Sequence, residues 1–160
     1  MSELTIRPLR AAAAARDCTA RLVEFGPWRT IGITAERLFK DLTSPQRDVF
    51  VAEFGGQTVG VLVLHLGGPF DGYIQLIAVF PEFQSRGFGG QLIQFAEGKI
   101  FARSQNVFLC VSSFNHGAQK FYERLGYKKV GELENYLQLG HAEILLRKTR
   151  GPLLGFTPSE

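Results

Sequence analysis

A chain of 160 residues with 45% hydrophobic and 21% charged side chains fits one ordinary domain, long enough to bury roughly 70% of its unfolded surface. Lys and Arg number 18 against 15 Asp and Glu, and no stretch concentrates the net charge of +3. That argues against a nucleic-acid partner while still favouring a polyanionic ligand. Cys18, Cys110 and the three histidines never fall at metal-ligand spacing, and no run reaches the roughly 18 apolar residues of a membrane span. With no apolar signal core at the N-terminus, the expectation is a soluble cytoplasmic protein with two reduced, buried thiols and no metal or membrane partner.

Residues 4–10 (LTIRPLR) alternate apolar and polar positions, as a first strand does. From Ala11 to about Phe25 the alanine run followed by Leu22 and Val23 predicts a helix that Gly26-Pro27 ends. Thr34 to Leu42 predicts a second helix, with Thr34 as N-cap and Leu38, Phe39 and Leu42 on one face. Val49–Phe54 and Val59–Leu66 read as strands joined at Gly55-Gly56, where glycine supplies the positive φ of a tight turn. Gly67-Gly68-Pro69 turns the chain into a third strand, Tyr73–Phe80, and Pro81 leads into a glycine-rich loop at 84–90. A helix then runs to about Arg103, with Phe88, Leu92, Ala96 and Ile100 recurring every four residues.

Residues 107–113 are apolar on both faces, as a strand covered on both sides must be. Ala118–Leu125 predicts a short helix stopped at Gly126, and Tyr127–Leu133 with Glu143–Arg147 predict a closing strand pair. The tail 151–160 reads as irregular, with Leu153, Leu154 and Phe156 available to pack back on the body. The order β-α-α-β-β-β-α-β-α-β-β describes a mixed α/β (α+β) single-sheet fold in one domain over residues 1–150.

The loop Gln84-Ser85-Arg86-Gly87-Phe88-Gly89-Gly90 stands between a strand and a helix. Successive N–H groups there have no intrahelical partner, the helix dipole favours negative charge, and glycine lets a phosphate approach the backbone. A dinucleotide fold wants G-x-G-x-x-G, yet counting from Gly87 the last position falls on Leu92. The acidic residue such a fold needs about 20 positions later is also missing, since 106–113 holds no carboxylate. Nicotinamide and flavin binding are disfavoured. On the loop alone, another phosphate ligand such as a nucleotide, or a glycine turn with no ligand, both stay open.

Gln84-Ser85-Arg86-Gly87-Phe88-Gly89 resembles the Q/R-x-x-G-x-G/A pyrophosphate loop of the GNAT superfamily of N-acetyltransferases. The strand Leu76-Ile77-Ala78-Val79-Phe80-Pro81 is similar to the family's approach to that loop, and Asn115 stands at its asparagine position. Ala118 to Tyr127 (AQKFYERLGY) is similar to its A-x-x-F-Y-x-x-L-G-Y/F helix. The resemblance follows the element order over about 4–148 and is specific over 73–127.

It implies acetyl-CoA as co-substrate, an amine acceptor, and an opening between the strands at 73–80 and 107–113. The backbone of Ile77, Ala78 and Val79 would bond the pantetheine arm, and the N–H groups from Arg86 to Gly90 the pyrophosphate. Asn115 would contact the pantetheine or cap the next helix. Tyr122 would be the general acid to the leaving thiolate, because a phenol with pKa ~10 stays protonated beside a thiol of ~8.5. A non-catalytic acyl-CoA sensor is the alternative, and a homodimer is compatible with the family.

The acceptor also needs a base. An ammonium of pKa ~10.4 is free amine only about once in a thousand near pH ~7.4, a handicap of roughly 4 kcal/mol. Many relatives carry a glutamate on one of the two strands, but the matching positions here are Tyr73 and Cys110. Gln75 could only orient a water, so His141 and Glu143 are the remaining candidates, each with a surface reading as a turn histidine or a strand-edge charge. Trp28 and Phe114 are candidates to line the acceptor pocket. No acidic cluster points to a polyamine or aminoglycoside, which leaves a peptide, protein or small apolar amine.

Overall fold

The computed structural model describes residues 2–158. Its strands are β1 (Thr5–Pro8), β2 (Asp48–Phe54), β3 (Gln57–His65), β4 (Tyr73–Val79), β5 (Asn106–Ser112), β6 (Lys128–Glu134) and β7 (Ala142–Thr149). They form one sheet in the order β1-β2-β3-β4-β5-β7-β6. Every neighbouring pair is antiparallel except β4 and β5. The helices are α1 (Ala12–Leu22), α2 (Gly26–Ile31), α3 (Ala35–Thr43), α4 (Phe88–Phe101) and α5 (His116–Arg124).

The period-two alternation of β3 divides the core. Val61 and Val63 pack with Ala15, Leu22, Leu38 and Leu42 of α1 and α3. Leu62 and Leu64 face the other way, toward Leu92, Ile93, Ala96 and Ile100 of α4. All four β3 residues are fully buried. Burying Leu92 alone contributes roughly 1.5–3 kcal/mol, so the four-residue repeat read in the sequence is the core face of α4.

Two sequence expectations need correction. Gly26-Pro27 does not simply end a helix: α1 stops at Leu22, and Gly26-Pro27 begins the extra helix α2. Proline fits there because the first turn of a helix has no use for its missing N–H. In the tail, Leu153 and Leu154 stay exposed and Leu154 is 92% accessible, so neither packs back. Thr34 caps α3 as expected, its hydroxyl accepting from Arg37 N at 3.2 Å.

Two features shape the sheet's centre. At Gly72 the chain enters β4 with φ of +87°, and a Cβ there would lie 2.3 Å from the Asn106 carbonyl oxygen. Glycine therefore lets the two parallel strands touch, with Phe108 N donating to the Gly72 carbonyl at 2.9 Å. At Gln75 the β3–β4 register slips, because Val63 pairs with Leu76 whereas Leu64 pairs with Ile74. The bulge interrupts the alternation: Ile74, Ile77 and Val79 belong to the α4 side, Leu76 and Ala78 to the α1–α3 side.

Candidate active site

β4 and β5 meet only through Tyr73 with Phe108 and Ile74 with Leu109, although β4 runs on to Val79 and β5 to Ser112. Beyond those two pairs the strands part, and a cleft of about 680 Å³ opens between them. Ile77, Ala78 and Val79 line it from one side and Cys110, Val111 and Ser112 from the other. The unladdered strand edges are hydrogen-bonding groups that an extended ligand can satisfy.

At the end of β4 the chain passes through a 3-10 turn (Pro81–Phe83) into the glycine loop. Ser85 and Gly87 both take left-handed conformations, with φ of 62° and 82°. The carbonyl of Gly87 then accepts the first α4 bond, from Gln91 N at 3.3 Å. Among the described residues, none of the N–H groups of Arg86, Gly87, Phe88, Gly89 and Gly90 finds a partner within the chain. An added Cβ at Gly87 or Gly90 would meet nothing within 4 Å, so the loop faces open space. A row of free donors at the start of a 14-residue helix suits a pyrophosphate.

The loop's side chains take other tasks. Gln84 lines the cleft and its Nε2 donates to the Val79 carbonyl at 2.9 Å. The Arg86 guanidinium sits 5.6 Å from the Phe83 ring centre. The Phe88 ring is buried against Phe54, which leaves only its backbone to a ligand.

Tyr122 lies on α5, where helical spacing turns it inward. Its ring packs edge-on against Phe121 and Tyr127, yet the residue lines the cleft. Among the described residues the hydroxyl has no hydrogen-bond partner, and it is not sealed from solvent, so its free direction is the cleft. Burial pushes its pKa upward, which keeps the phenol protonated. Asn115 both caps α5, with Oδ1 accepting from Ala118 N at 3.2 Å, and lines the cleft.

The opposite end of the cleft collects the acceptor candidates. Tyr73 lies beside Cys110, and burial raises the pKa of both. Cys110 is thus half-buried and cleft-lining rather than a plain core thiol. Glu143 is only 5% exposed, lines the cleft, and accepts a hydrogen bond from Ser112 Oγ at 2.7 Å. Burial raises its pKa, against the opposing effects of the Ser112 bond and of His141. The strand-edge surface reading of Glu143 is therefore wrong, because β7 is an inner strand and α3 and the β6–β7 loop supply further cleft lining.

Trp28 forms part of the wall, stacked edge-on with Phe25. Phe114 and His141 do not line the cleft. Their rings stack on each other with centres 5.1 Å apart, because β5 has already ended and both belong to adjoining turns.

Three of the lining residues that escaped the sequence reading carry polar groups into the site. Arg47, in the turn before β2, donates from Nε to Gln75 Oε1. Ser112 anchors Glu143. Tyr136, in the β6–β7 loop, overhangs the cleft while 62% exposed. Only Ser112 had a local signal, as a polar residue ending an apolar strand. Among the described residues no three His, Cys, Asp or Glu side chains are placed to hold a metal, and no helix is long and apolar enough to cross a membrane.

Parted parallel strands, a donor row at a helix start and a tyrosine in the gap define a class that sequence comparison also finds. Residues 15–127 match the Acetyltransferase (GNAT) family, and the chain belongs to it. It is 33% identical to the N-alpha-acetyltransferase RimI of Mycobacterium tuberculosis, over 65% of this chain and 66% of that protein, just under two thirds of the relative's length. The fold superposes on the ribosomal-protein-S18-alanine N-acetyltransferase of Escherichia coli with a TM-score of 0.73 at 18% identity, covering 97% of this chain and 99% of that one. It superposes on the spermidine N-acetyltransferase of Vibrio cholerae, solved in complex with CoA and spermine, with a TM-score of 0.72 at 20% identity, covering 92% and 95%.

Proposed function

We propose that this chain transfers the acetyl group of acetyl-CoA to a primary amine, by direct attack within a ternary complex. The observation that carries the reading is the parting of β4 and β5, with the unpartnered Tyr122 hydroxyl in the gap and the free N–H row of 86–90 at its end. Pantetheine fits the gap as a mock strand against Ile77, Ala78 and Val79, and the pyrophosphate fits the loop donors. Membership of the GNAT family supports the same co-substrate.

The amine nitrogen attacks the thioester carbonyl carbon, the C–S bond breaks, and the sulfur leaves as thiolate. Tyr122, held protonated by burial, donates to that sulfur. Glu143 is the base we assign. Its raised pKa brings the carboxylate nearer the working pH, where it accepts the proton of the incoming ammonium directly or through one water. Ser112 orients it.

Thiol release from acetyl-CoA over an amine panel tests this. Tyr122→Phe is expected to lower turnover by roughly 10²–10⁴-fold with acetyl-CoA affinity unchanged. Undiminished turnover in that variant would overturn the role of Tyr122. Tight acetyl-CoA binding without thiol release on any amine would favour an acyl-CoA sensor instead.

A further inference from the structure

The acceptor end of the cleft carries an arginine that makes no ion pair among the described residues. Two arginines line the cleft. Arg37 sits on the helix surface with Nε 4.0 Å from Asp41 Oδ2, so its charge has a neighbour. Arg47 makes no ion pair among the described residues. Its Nε is committed to Gln75 Oε1, and Nη1 reaches the Gln46 carbonyl only at 3.4 Å.

This guanidinium is held in place rather than swept by solvent. Arg47 is half-buried, and its partner Gln75 is the extra residue of the β4 bulge, one position from the point where β4 and β5 part. The bulge therefore fixes a fork of donors beside the opening. His65 is close enough for Arg47 to lower its pKa, in addition to the lowering by burial, so the imidazole stays neutral and adds no competing charge. Neither acid that also lines the cleft pairs with Arg47: Asp41 stands beside Arg37, and Glu143 accepts from Ser112. A planar guanidinium anchored through Nε, with Nη2 making no hydrogen bond among the described residues, is suited to bind a carboxylate.

We infer that Arg47 binds an anionic group of the acceptor, so that the preferred substrate is an amine that also bears a carboxylate. This rests on the acetyltransferase reading above and names its substrate class. It runs against a polyamine or aminoglycoside, whose further ammonium groups would meet Arg47 instead of a carboxylate.

Matched acceptors that differ in one charge test it. The pairs are C-amidated Ala-Glu with C-amidated Ala-Gln, and 4-aminobutyrate with 4-aminobutyramide; they separate a peptide source from a small molecule. In at least one pair, kcat/KM of the wild type is expected to favour the carboxylate by tenfold or more. Arg47→Gln should bring the ratio to within about twofold of unity, chiefly by raising KM for the carboxylate member of the pair, and Arg47→Lys should restore part of the ratio. Equal use of both members of both pairs, or an unchanged ratio in Arg47→Gln, would overturn the inference.

Calorimetric binding of the same pairs to protein with and without CoA separates the two levels of the account. If acetyl-CoA binds but neither carboxylate binds better than its amide, Arg47 loses the role while acetyl transfer stands. If acetyl-CoA does not bind, the transferase reading fails, and the preference of the free protein for each carboxylate, lost in Arg47→Gln, still decides the role of Arg47.

Discussion

The two ends of the cleft are built differently. The end proposed for the co-substrate is local: β4, the 84–90 loop and the start of α4 follow one another within about 20 residues, and α5 adds Tyr122 and Asn115 from one further short segment. The end proposed for the acceptor is assembled from Arg47 before β2, Gln75 in a bulge, Ser112 at the end of β5, Glu143 on β7 and Tyr136 in the β6–β7 loop. The first end needs particular residues at fixed spacing because backbone conformation makes it. The second needs side chains that only the folded sheet brings together.

The join between the ends is where a substitution should do most harm. Gly72→Ala must take a left-handed φ and drive a Cβ into the Asn106 carbonyl oxygen and the Ile100 side chain. Strain and overpacking together are expected to cost roughly 2–5 kcal/mol in denaturant unfolding. A loss below 1 kcal/mol would show that β4 and β5 do not depend on that contact.

Glu143→Gln sharpens the contrast on the acceptor side. Turnover at neutral pH should fall by up to about a hundredfold, and the acidic limb of the pH–rate profile should vanish, with acetyl-CoA affinity unaltered. Stability should move the other way. Because burial raises the folded-state pKa of Glu143, its contribution is present below the unfolded-state pKa and is lost as pH rises through the folded value. The glutamine variant, which never ionises, should therefore gain stability relative to wild type above that window. A variant no more stable than wild type there would show that Glu143 ionises without penalty.

Gly87→Ala probes the co-substrate end with a smaller effect. Nothing crowds a Cβ at this position, so the cost is the left-handed φ of 82°, about 1–2 kcal/mol. Acetyl-CoA affinity should fall about tenfold while unfolding shifts little, since the strain can relax by rotating the loop donors out of line. Retained affinity would mean that the N–H row is not the phosphate site.

What was legible in the sequence follows the same division. The 84–90 loop, the Asn115 cap and Tyr122 each express a rule that acts within one turn of chain: Ser85 and Gly87 are left-handed, Asn115 caps α5 and Tyr122 lines the cleft. Gly26-Pro27 is ambiguous in sequence, because the same pair can end one helix or begin the next; here it begins α2, beside the edge-on contact of Phe25 with Trp28. Glu143 looked like an edge charge because nothing local tells that β7 lies inside β6. Phe114 and His141 are candidates from their places at the end of β5 and the start of β7, but in the structure they lie outside the cleft and meet edge-on. Arg47 had no signal at all, since its significance comes from a bulge 28 residues away.

The most direct test of the central claim is a calorimetric titration of the purified protein with acetyl-CoA, with NADH and ATP as controls. Saturable binding of acetyl-CoA, weakened by Gly87→Ala and absent for both controls, is the predicted result. No binding of acetyl-CoA, or equal binding of ATP, would contradict the assignment of the 84–90 loop and of the opening between β4 and β5 to this co-substrate.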